Sequence, residues 1–162
     1  MKAIVYHKYG SPDVLNLEEV QKPTPANDQL LIKVHAVSVN RSDWEGLIGK
    51  PLYARMGGLF KPRDKILGSD IAGIVEAVGK DVKQFKPGDE VFGLMLNYGG
   101  GFAEYACKSE KALALKPASM TFAEAASIPQ AAFIALQGIH AKGLVKPGQK
   151  VLINGAGGGT GA

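Results

Sequence analysis

The sequence predicts a mainly β domain, followed by helices and by the beginning of an α/β dinucleotide-binding unit. Residues 1–116 contain many short apolar runs between turn signals, a pattern typical of a barrel or sandwich rather than of a parallel sheet. Residues 121–141 change to helical periodicity. From Val151 an apolar run leads into a glycine cluster, as in the first strand and turn of a dinucleotide-binding βαβ unit. The change of composition at 117–121 predicts two parts, residues 1–120 and 121–162.

The first strands are predicted from β-branched and apolar runs. Residues 2–6 and 14–20 flank a Gly-Ser-Pro-Asp turn at 10–13, so they are expected to pair. Residues 29–39 form the longest strand candidate, because they are rich in Val, Ile and Leu.

A short helix and a long loop are predicted next. Asn40 or Ser42 is expected to cap a helix that passes through Trp44 and ends at Gly49. Residues 50–65 show no clear period and contain two prolines and a Gly-Gly pair. They predict a long surface loop, and long loops in compact domains are often functional.

The β pattern then returns. Strands are predicted within 68–79, at 91–94, at 102–107 and at 112–116. Turns separate them, including a Pro-Gly turn at 86–89 and a second glycine-rich loop at 98–101.

Two helices are predicted after residue 120. Thr121 and Glu124 have the spacing of a capping box, which predicts a helix over 122–127. Pro129 is expected to end it. Residues 131–141 are alanine-rich with apolar side chains at helical spacing, and they predict a buried helix.

The last segment predicts a phosphate-binding turn. The apolar residues 151–153 precede glycines at 155, 157, 158, 159 and 161. The backbone N–H groups of Gly158, Gly159 and Thr160 are expected to face a pyrophosphate. The simpler alternative is a flexible turn. The helix that completes such a site is absent from the sequence, so we expect the 162-residue chain alone to be catalytically silent.

Composition narrows the function classes. The net charge of +4 is scattered among acids, which argues against nucleic acid as a partner. Cys107 is the single cysteine, so no disulfide forms within the chain, as in a reducing compartment. Neither a signal peptide nor a membrane span is evident. We therefore expect a cytoplasmic protein with no membrane contact.

Five stretches occur in an order that resembles the medium-chain dehydrogenase/reductase superfamily. They are residues 68–79 (GSDIAGIVEAVG), 85–92 (FKPGDEVF), 101–105 (GFAEY), 125–129 (AASIP) and the terminal glycine loop. The resemblance covers essentially the whole chain. It implies a GroES-like β-barrel catalytic domain followed by a Rossmann domain, in a protein about twice this length.

Within that superfamily, the presence or absence of zinc-binding residues distinguishes the zinc-dependent branches from the zinc-free ones. Where the first ligand cysteine would fall, the chain has Asn40-Arg-Ser-Asp43, and where the Gly-His-Glu motif would fall, it has Gly68-Ser-Asp70. The resemblance is therefore to the zinc-free quinone oxidoreductase and enone reductase branch, with no metal. It implies hydride transfer from NADPH (or NADH) to a quinone or an α,β-unsaturated carbonyl compound, and a homodimer for the full-length form.

The resemblance also implies site residues. Asn40 and Asp43 would line the pocket beside the nicotinamide and substrate, with Asn40 stabilising negative charge on oxygen. Tyr53 would donate a proton or close the pocket. Gln130 and Ile134 would approach the nicotinamide, and Gly157, Gly158, Gly159 and Thr160 would bind the pyrophosphate.

Each assignment has a structural alternative: a helix cap for Asn40, a first-turn acid for Asp43, loop packing for Tyr53 and core packing for 130–134. Two other functions stay open. One is a GroES-like binding or structural domain without catalysis. The other is a zinc-free reductase that resembles alcohol dehydrogenase.

Overall fold

The structure is a computed structural model that describes residues 1–95, 100–140 and 145–160. Its strands are β1 (Lys2–Tyr6), β2 (Leu15–Glu19), β3 (Gln29–Ser38), β4 (Asp70–Val78), β5 (Glu90–Leu94), β6 (Tyr105–Ser109) and β7 (Leu113–Leu115). Its α-helices are α1 (Arg41–Ile48), α2 (Phe122–Ala126) and α3 (Pro129–His140). Single 3₁₀ turns lie at Pro12–Val14, Leu52–Arg55 and Glu110–Ala112. The predicted mainly β fold with few helices is confirmed.

The strands form two antiparallel sheets. The first pairs β1 with β2, as predicted, with Ile4 opposite Leu17. The second has the strand order β6-β3-β4-β5-β7. Isolated bridges from Ala3 to Ala103 and from Val5 to Ile66 connect the first sheet with the segments that flank the second.

The core lies on the central strands of the larger sheet. Its fully buried members come from three neighbouring strands: Leu30 and Ile32 of β3, Ile71 and Val75 of β4, and Val91 of β5. Burying one such side chain stabilises a fold by about 1.5–3 kcal/mol. These three strands therefore form the rigid part of the domain from which the site is built.

Gly73 lies in the middle of β4, where the backbone of β3 approaches it closely. A Cβ atom at this position would lie 2.2 Å from the carbonyl oxygen of Lys33 on β3. Register shifts in the β3–β4 ladder lie on either side of Lys33, between Leu31 and Ile32 and between Val34 and Ala36. The two strands thus come closest where only a glycine fits.

The helices lie close to their predicted positions, but α3 is more exposed than predicted. Asn40 is the N-cap of α1, and Gly49 ends the helix with a φ of 61°, a left-handed conformation that favours glycine. The capping box of Thr121 and Glu124 opens α2 as predicted. Pro129 does not merely end α2, because it is also the first residue of α3, a position where its missing N–H is harmless.

Three further predictions differ from the structure. β6 begins at Tyr105 rather than at residue 102, because the Phe102 N–H bonds to the Leu67 carbonyl instead of joining the ladder. The helix predicted to be buried is exposed: Phe133, Leu136 and Ile139 are each about half accessible. The described part of the chain places no element over them.

The third difference concerns the segment before the terminal glycines. Residues 151–153 do not form the predicted strand, because no neighbouring strand of the described chain pairs with them. In the predicted loop at 98–101, residues 98 and 99 lie outside the described residues, as do Gly161 and residue 141 of the predicted helix. No helix in the described part of the chain is long and apolar enough to cross a membrane.

Candidate active site

Hydrogen-bonding side chains from four segments meet at one place. The end of β3, the start of α1, the residues that open β4 and the start of α3 each contribute. We call these residues the polar cluster: Ser38, Asn40, Ser42, Asp43, Ser69, Asp70 and Gln130. The end of β3 and the start of α1 are adjacent in sequence, and the fold brings the other two segments to them.

Asp43 joins the start of α1 to the start of β4. Its carboxylate accepts hydrogen bonds from the Asn40 N–H at 2.8 Å, the Gly68 N–H at 3.0 Å and the Ser69 hydroxyl at 3.3 Å. The side chain is buried. Burial raises the pKa of Asp43, and the hydrogen bonds from Asn40, Gly68 and Ser69 oppose that rise. Asp43 therefore fixes the geometry of the cluster.

Asn40 is held on both sides of its amide. Its Nδ2 donates to the hydroxyl oxygens of Ser38 and Ser69, each at 3.0 Å. The amide nitrogen carries two hydrogens and lies within hydrogen-bond distance of both serine oxygens, and the same side chain also acts on the Asp70 carboxyl group. Donation to a substrate oxygen, as the sequence predicts, requires one of these two bonds to be exchanged.

Gln130 brings the first turn of α3 into the cluster. Its Oε1 accepts from the hydroxyls of Ser42 at 2.9 Å and Ser69 at 3.1 Å. The single Ser69 proton therefore serves either Gln130 or Asp43 at one time. The Gln130 backbone N–H donates to Asp70 at 2.8 Å, so the helix is tied to β4 by main chain and side chain together.

Asp70 is the member of the cluster that sequence reasoning missed. It is fully buried, and its Oδ1 has no hydrogen-bond partner. Burial raises the pKa of Asp70, the charge of Asp43 raises it further, and the bonds from Gln130 and Asn40 oppose the rise. The sequence held one signal for it, since Ser69 and Asp70 are two polar residues directly before the apolar run of β4. Ser38, Ser42 and Ser69 were likewise not predicted as site residues.

Tyr53 lies in the predicted loop, on the 3₁₀ turn Leu52–Arg55. Its hydroxyl donates to Glu45 of α1 at 2.6 Å, and Arg41 donates to the same carboxylate at 2.9 Å. These two bonds lower the pKa of Glu45, with the Tyr53 bond the larger cause. The structure thus ties Tyr53 to α1 through Glu45.

The remaining predicted residues are not brought to the cluster. Ile134 is partly exposed on α3, one turn after Gln130. Gly157, Gly158, Gly159 and Thr160 are exposed, and the Gly158 N–H closes a local turn onto the carbonyl of Gly155 at 3.0 Å. Within the described residues, no hydrogen bond joins the segment 145–160 to the cluster.

The glycines of this segment are not required by local packing. A Cβ atom on Gly157 or Gly159 would meet nothing within 4 Å, and neither residue has a positive φ. In contrast, a Cβ atom on Gly68, beside the cluster, would lie 2.6 Å from the Phe102 nitrogen. The glycines at 157 and 159 therefore leave room for a group that approaches the backbone closely.

The described residues do not form a group of side chains suited to binding a metal ion. Across residues 1–95, 100–140 and 145–160, no three His, Cys, Asp or Glu side chains are grouped so that they could hold a metal ion. The cluster offers amide, hydroxyl and carboxyl groups instead, which suit hydrogen bonding to carbonyl and carboxamide groups. Cys107 is half-buried on β6, and burial raises the pKa of its thiol.

A β-rich domain with this strand order and a buried polar cluster beside its long central strands defines the class of the molecule. The model of the alcohol dehydrogenase GroES-like domain matches residues 26–118, more than half of the chain. The chain belongs to this family, in the quinone oxidoreductase-like branch of the medium-chain dehydrogenase/reductase superfamily.

Individual relatives agree with this placement. The chain is 40% identical to the quinone oxidoreductase of Sus scrofa, over 99% of the chain and 47% of the relative. It is 40% identical to the NADPH-dependent alkenal/one oxidoreductase of Arabidopsis thaliana chloroplasts, over 98% of the chain and 42% of the relative. The solved quinone oxidoreductase of Coxiella burnetii superposes with a TM-score of 0.89 at 36% identity, covering 99% of this chain and 50% of that one. The chain thus spans less than half the length of the curated relatives.

Proposed function

We propose that the chain supplies the catalytic domain of an NADPH-dependent reductase that reduces a quinone or an α,β-unsaturated carbonyl compound without zinc. The observation that carries this proposal is the polar cluster: Asn40 and Ser69 stand where the superfamily's zinc ligands would fall. Both take part in a closed set of hydrogen bonds. The names of the relatives support the reaction class and the cofactor.

The residues present are compatible with a nicotinamide dinucleotide. The open backbone at Gly157 and Gly159 leaves space for close approach of a pyrophosphate, together with Gly158 and Thr160. Asn40 and Gln130 supply amide groups of the kind that bind a carboxamide. When bound, NADPH supplies the hydride. In this proposal, residues 1–120 form the catalytic domain and residues 121–162 lead into the cofactor domain.

The cluster contributes positioning and charge stabilisation. Exchange of one Asn40 amide hydrogen from Ser38 or Ser69 to a substrate oxygen stabilises the negative charge that develops there, and Asp43 keeps the amide in place. Tyr53, held by Glu45, closes the pocket or donates a proton. Ile134 lines the nicotinamide side. We also propose that the full-length form is a cytoplasmic homodimer.

Turnover by a protein that contains this chain together with its cofactor domain tests the function. NADPH oxidation is followed by absorbance with a panel of quinones and enones, with and without a zinc chelator. We expect turnover that the chelator leaves unchanged and that Asn40→Ala lowers by about 10²-fold, the scale for removing one oxyanion donor. Leu17→Ala, an exposed change on β2, is the control. Absence of turnover with every quinone and enone, or loss of turnover to the chelator, would overturn the proposal.

A further inference from the structure

Two carboxyl groups are buried in the polar cluster. Asp43 is 2% exposed and Asp70 is 0% exposed. The Asp43 charge acts on Asp70 and disfavours its ionisation. Two like charges in a poorly solvated site cannot both form cheaply, so such a pair keeps one proton to a higher pH than an isolated carboxyl group would. The hydrogen bonds of the two groups decide which of them carries it.

Asp43 has the surroundings of a carboxylate. Two of its bonds come from the backbone N–H groups of Asn40 and Gly68, which can donate but never accept. A proton on Asp43 would have to replace one of these bonds or point at a donor. The ionised form satisfies every partner, so the negative charge belongs on Asp43.

Asp70 has the surroundings of a neutral acid. Its Oδ2 accepts a hydrogen bond from the Gln130 N–H at 2.8 Å, its buried Oδ1 has no hydrogen-bond partner, and the Asn40 amide is the other donor that acts on the carboxyl group. An ionised oxygen without a donor is costly in the interior, whereas a protonated Oδ1 carries no charge. The other cluster residues that act on Asp70, Asn40 and Gln130, are neutral, and Asp43 is the one charged group found to act on it within the described residues.

We propose that Asp70 is a neutral carboxylic acid at physiological pH, with its proton on Oδ1, and that Asp43 is the single carboxylate of the pair. Asp70 is then a positioning residue that anchors Gln130 at the start of α3 without adding a second negative charge. Its functional consequence rests on the proposed reductase reaction, in which negative charge develops on a substrate oxygen. One carboxylate in the cluster opposes that charge less than two would.

Carbon-13 NMR of the 162-residue chain, labelled at aspartate Cγ, tests the protonation state directly. At pH 7 we expect one carboxyl resonance at the protonated position, moving to the carboxylate position only at higher pH. Asp70→Asn should remove it, and the exposed control Asp81→Asn should keep it. Absence of a protonated carboxyl at pH 7, or its loss in Asp43→Asn but not in Asp70→Asn, overturns the proposal. Correlation of Cγ with backbone nuclei assigns the resonance in wild type, so the result stands even if a variant does not fold.

The pH dependence of unfolding gives a second measure. A carboxyl whose folded-state pKa is raised binds a proton that the unfolded chain releases, so its contribution is complete at low pH and is lost as pH rises through the folded pKa. Asp70→Asn, a neutral side chain of the same shape, should flatten the fall of unfolding free energy that begins above the pKa of an unfolded aspartate, about 3.9, and continues as pH rises through the raised folded-state pKa of Asp70. Asp81→Asn should not. An unchanged slope in Asp70→Asn contradicts the proposal. Neither experiment uses cofactor or turnover, so failure here and failure of the reductase function remain distinguishable.

Discussion

Asp43 accepts hydrogen bonds from three donors, one at the N-cap of α1 and two in the segment that precedes β4. The sequence suggested two readings of it, a first-turn acid and a pocket residue. The structure shows the first role, because the carboxylate accepts the N-cap N–H of α1, and it adds bonds to the Gly68 N–H and the Ser69 hydroxyl. The role as a pocket residue stays a prediction. Its value to the fold lies in accepting hydrogen bonds on both oxygens, whereas an amide has only one accepting oxygen and an NH₂ group that can only donate.

Replacing Asp43 by Asn is therefore expected to destabilise the chain. The new NH₂ group would face a backbone N–H, leaving at least one buried donor without an acceptor. We expect the free energy of unfolding to fall by about 2–4 kcal/mol, the range for breaking a buried charged hydrogen-bond set. Urea denaturation measures it. Asp81→Asn, on an exposed turn, should change it by less than about 0.5 kcal/mol, and equal effects of the two variants would contradict this account.

At residue level, the sequence indicated part of the site and missed the rest for a physical reason. Asn40, Asp43 and Gln130 were found through the family resemblance. Ser38 and Ser69 were missed because a serine in or beside a strand is common and carries no spacing signal. The bond from Asn40 to Ser38 joins residues two apart in sequence, whereas the bond to Ser69 exists only once β3 and the start of β4 lie side by side.

At the level of elements, local signals were sufficient where the cause was local. Asn40 and Gly49 mark the two ends of α1, and the capping box of Thr121 and Glu124 marks the start of α2. These ends could be predicted because a cap depends on residues within one turn. The start of β6 could not be predicted in this way. Phe102 looks like a strand residue, but its N–H is taken by Leu67 from the segment before β4, a contact that no local pattern records.

The glycine in β4 leads to a prediction about strand packing. In Gly73→Ala the new methyl group would lie 2.2 Å from the Lys33 carbonyl oxygen, so β3 and β4 must separate. We expect a loss of about 1–3 kcal/mol or more in unfolding free energy, as for other overpacked sites. Gly138→Ala is the matched control, because its Cβ meets nothing within 4 Å on an exposed turn of α3.

The control is expected to differ in sign. Alanine favours a helix over glycine by up to about 1 kcal/mol, so Gly138→Ala should be neutral or stabilising. Thermal and urea denaturation of both variants measure the difference. If Gly73→Ala were as stable as wild type, the conclusion that β3 lies too close to residue 73 for a Cβ atom would be wrong.

At the level of the whole molecule, the terminal glycines separate folding from ligand binding. Since a Cβ atom at Gly159 meets nothing in this structure, Gly159→Val should leave the melting temperature of the 162-residue chain within about 2 °C, as expected for an exposed position. In a protein that also contains the cofactor domain, the same change should weaken NADPH binding at least about tenfold, or 1.4 kcal/mol. Nicotinamide fluorescence titration measures the affinity, and Lys150→Ala in the same exposed segment is the control. Unchanged affinity in Gly159→Val would remove this loop from the proposed cofactor site.

The apolar residues of α3 were predicted to be core, and that prediction was wrong for the described chain. A helical run of apolar side chains predicts burial only if another element covers it, and here Phe133, Leu136 and Ile139 remain about half exposed. Residues 151–153 did not form a strand for the same reason, since a strand needs a neighbour to pair with. Both segments carry a pattern that only additional structure can satisfy.

This exposure has a measurable result. Apolar surface that is accessible on a folded chain binds ANS (1-anilinonaphthalene-8-sulfonate) and promotes association, so the native 162-residue chain should enhance ANS fluorescence. Leu136→Ser with Ile139→Ser should reduce the enhancement by about half or more, because these side chains contribute to the exposed face of α3. Leu17→Ser with Leu115→Ser changes two similarly exposed residues on β2 and β7 and should reduce it less.

Urea denaturation should show the core unaffected in both variants, since none of the four side chains is buried. Equal ANS signals from the two double variants would mean that α3 is not the main exposed apolar face, and the burial pattern of the helix would then have to be assigned differently.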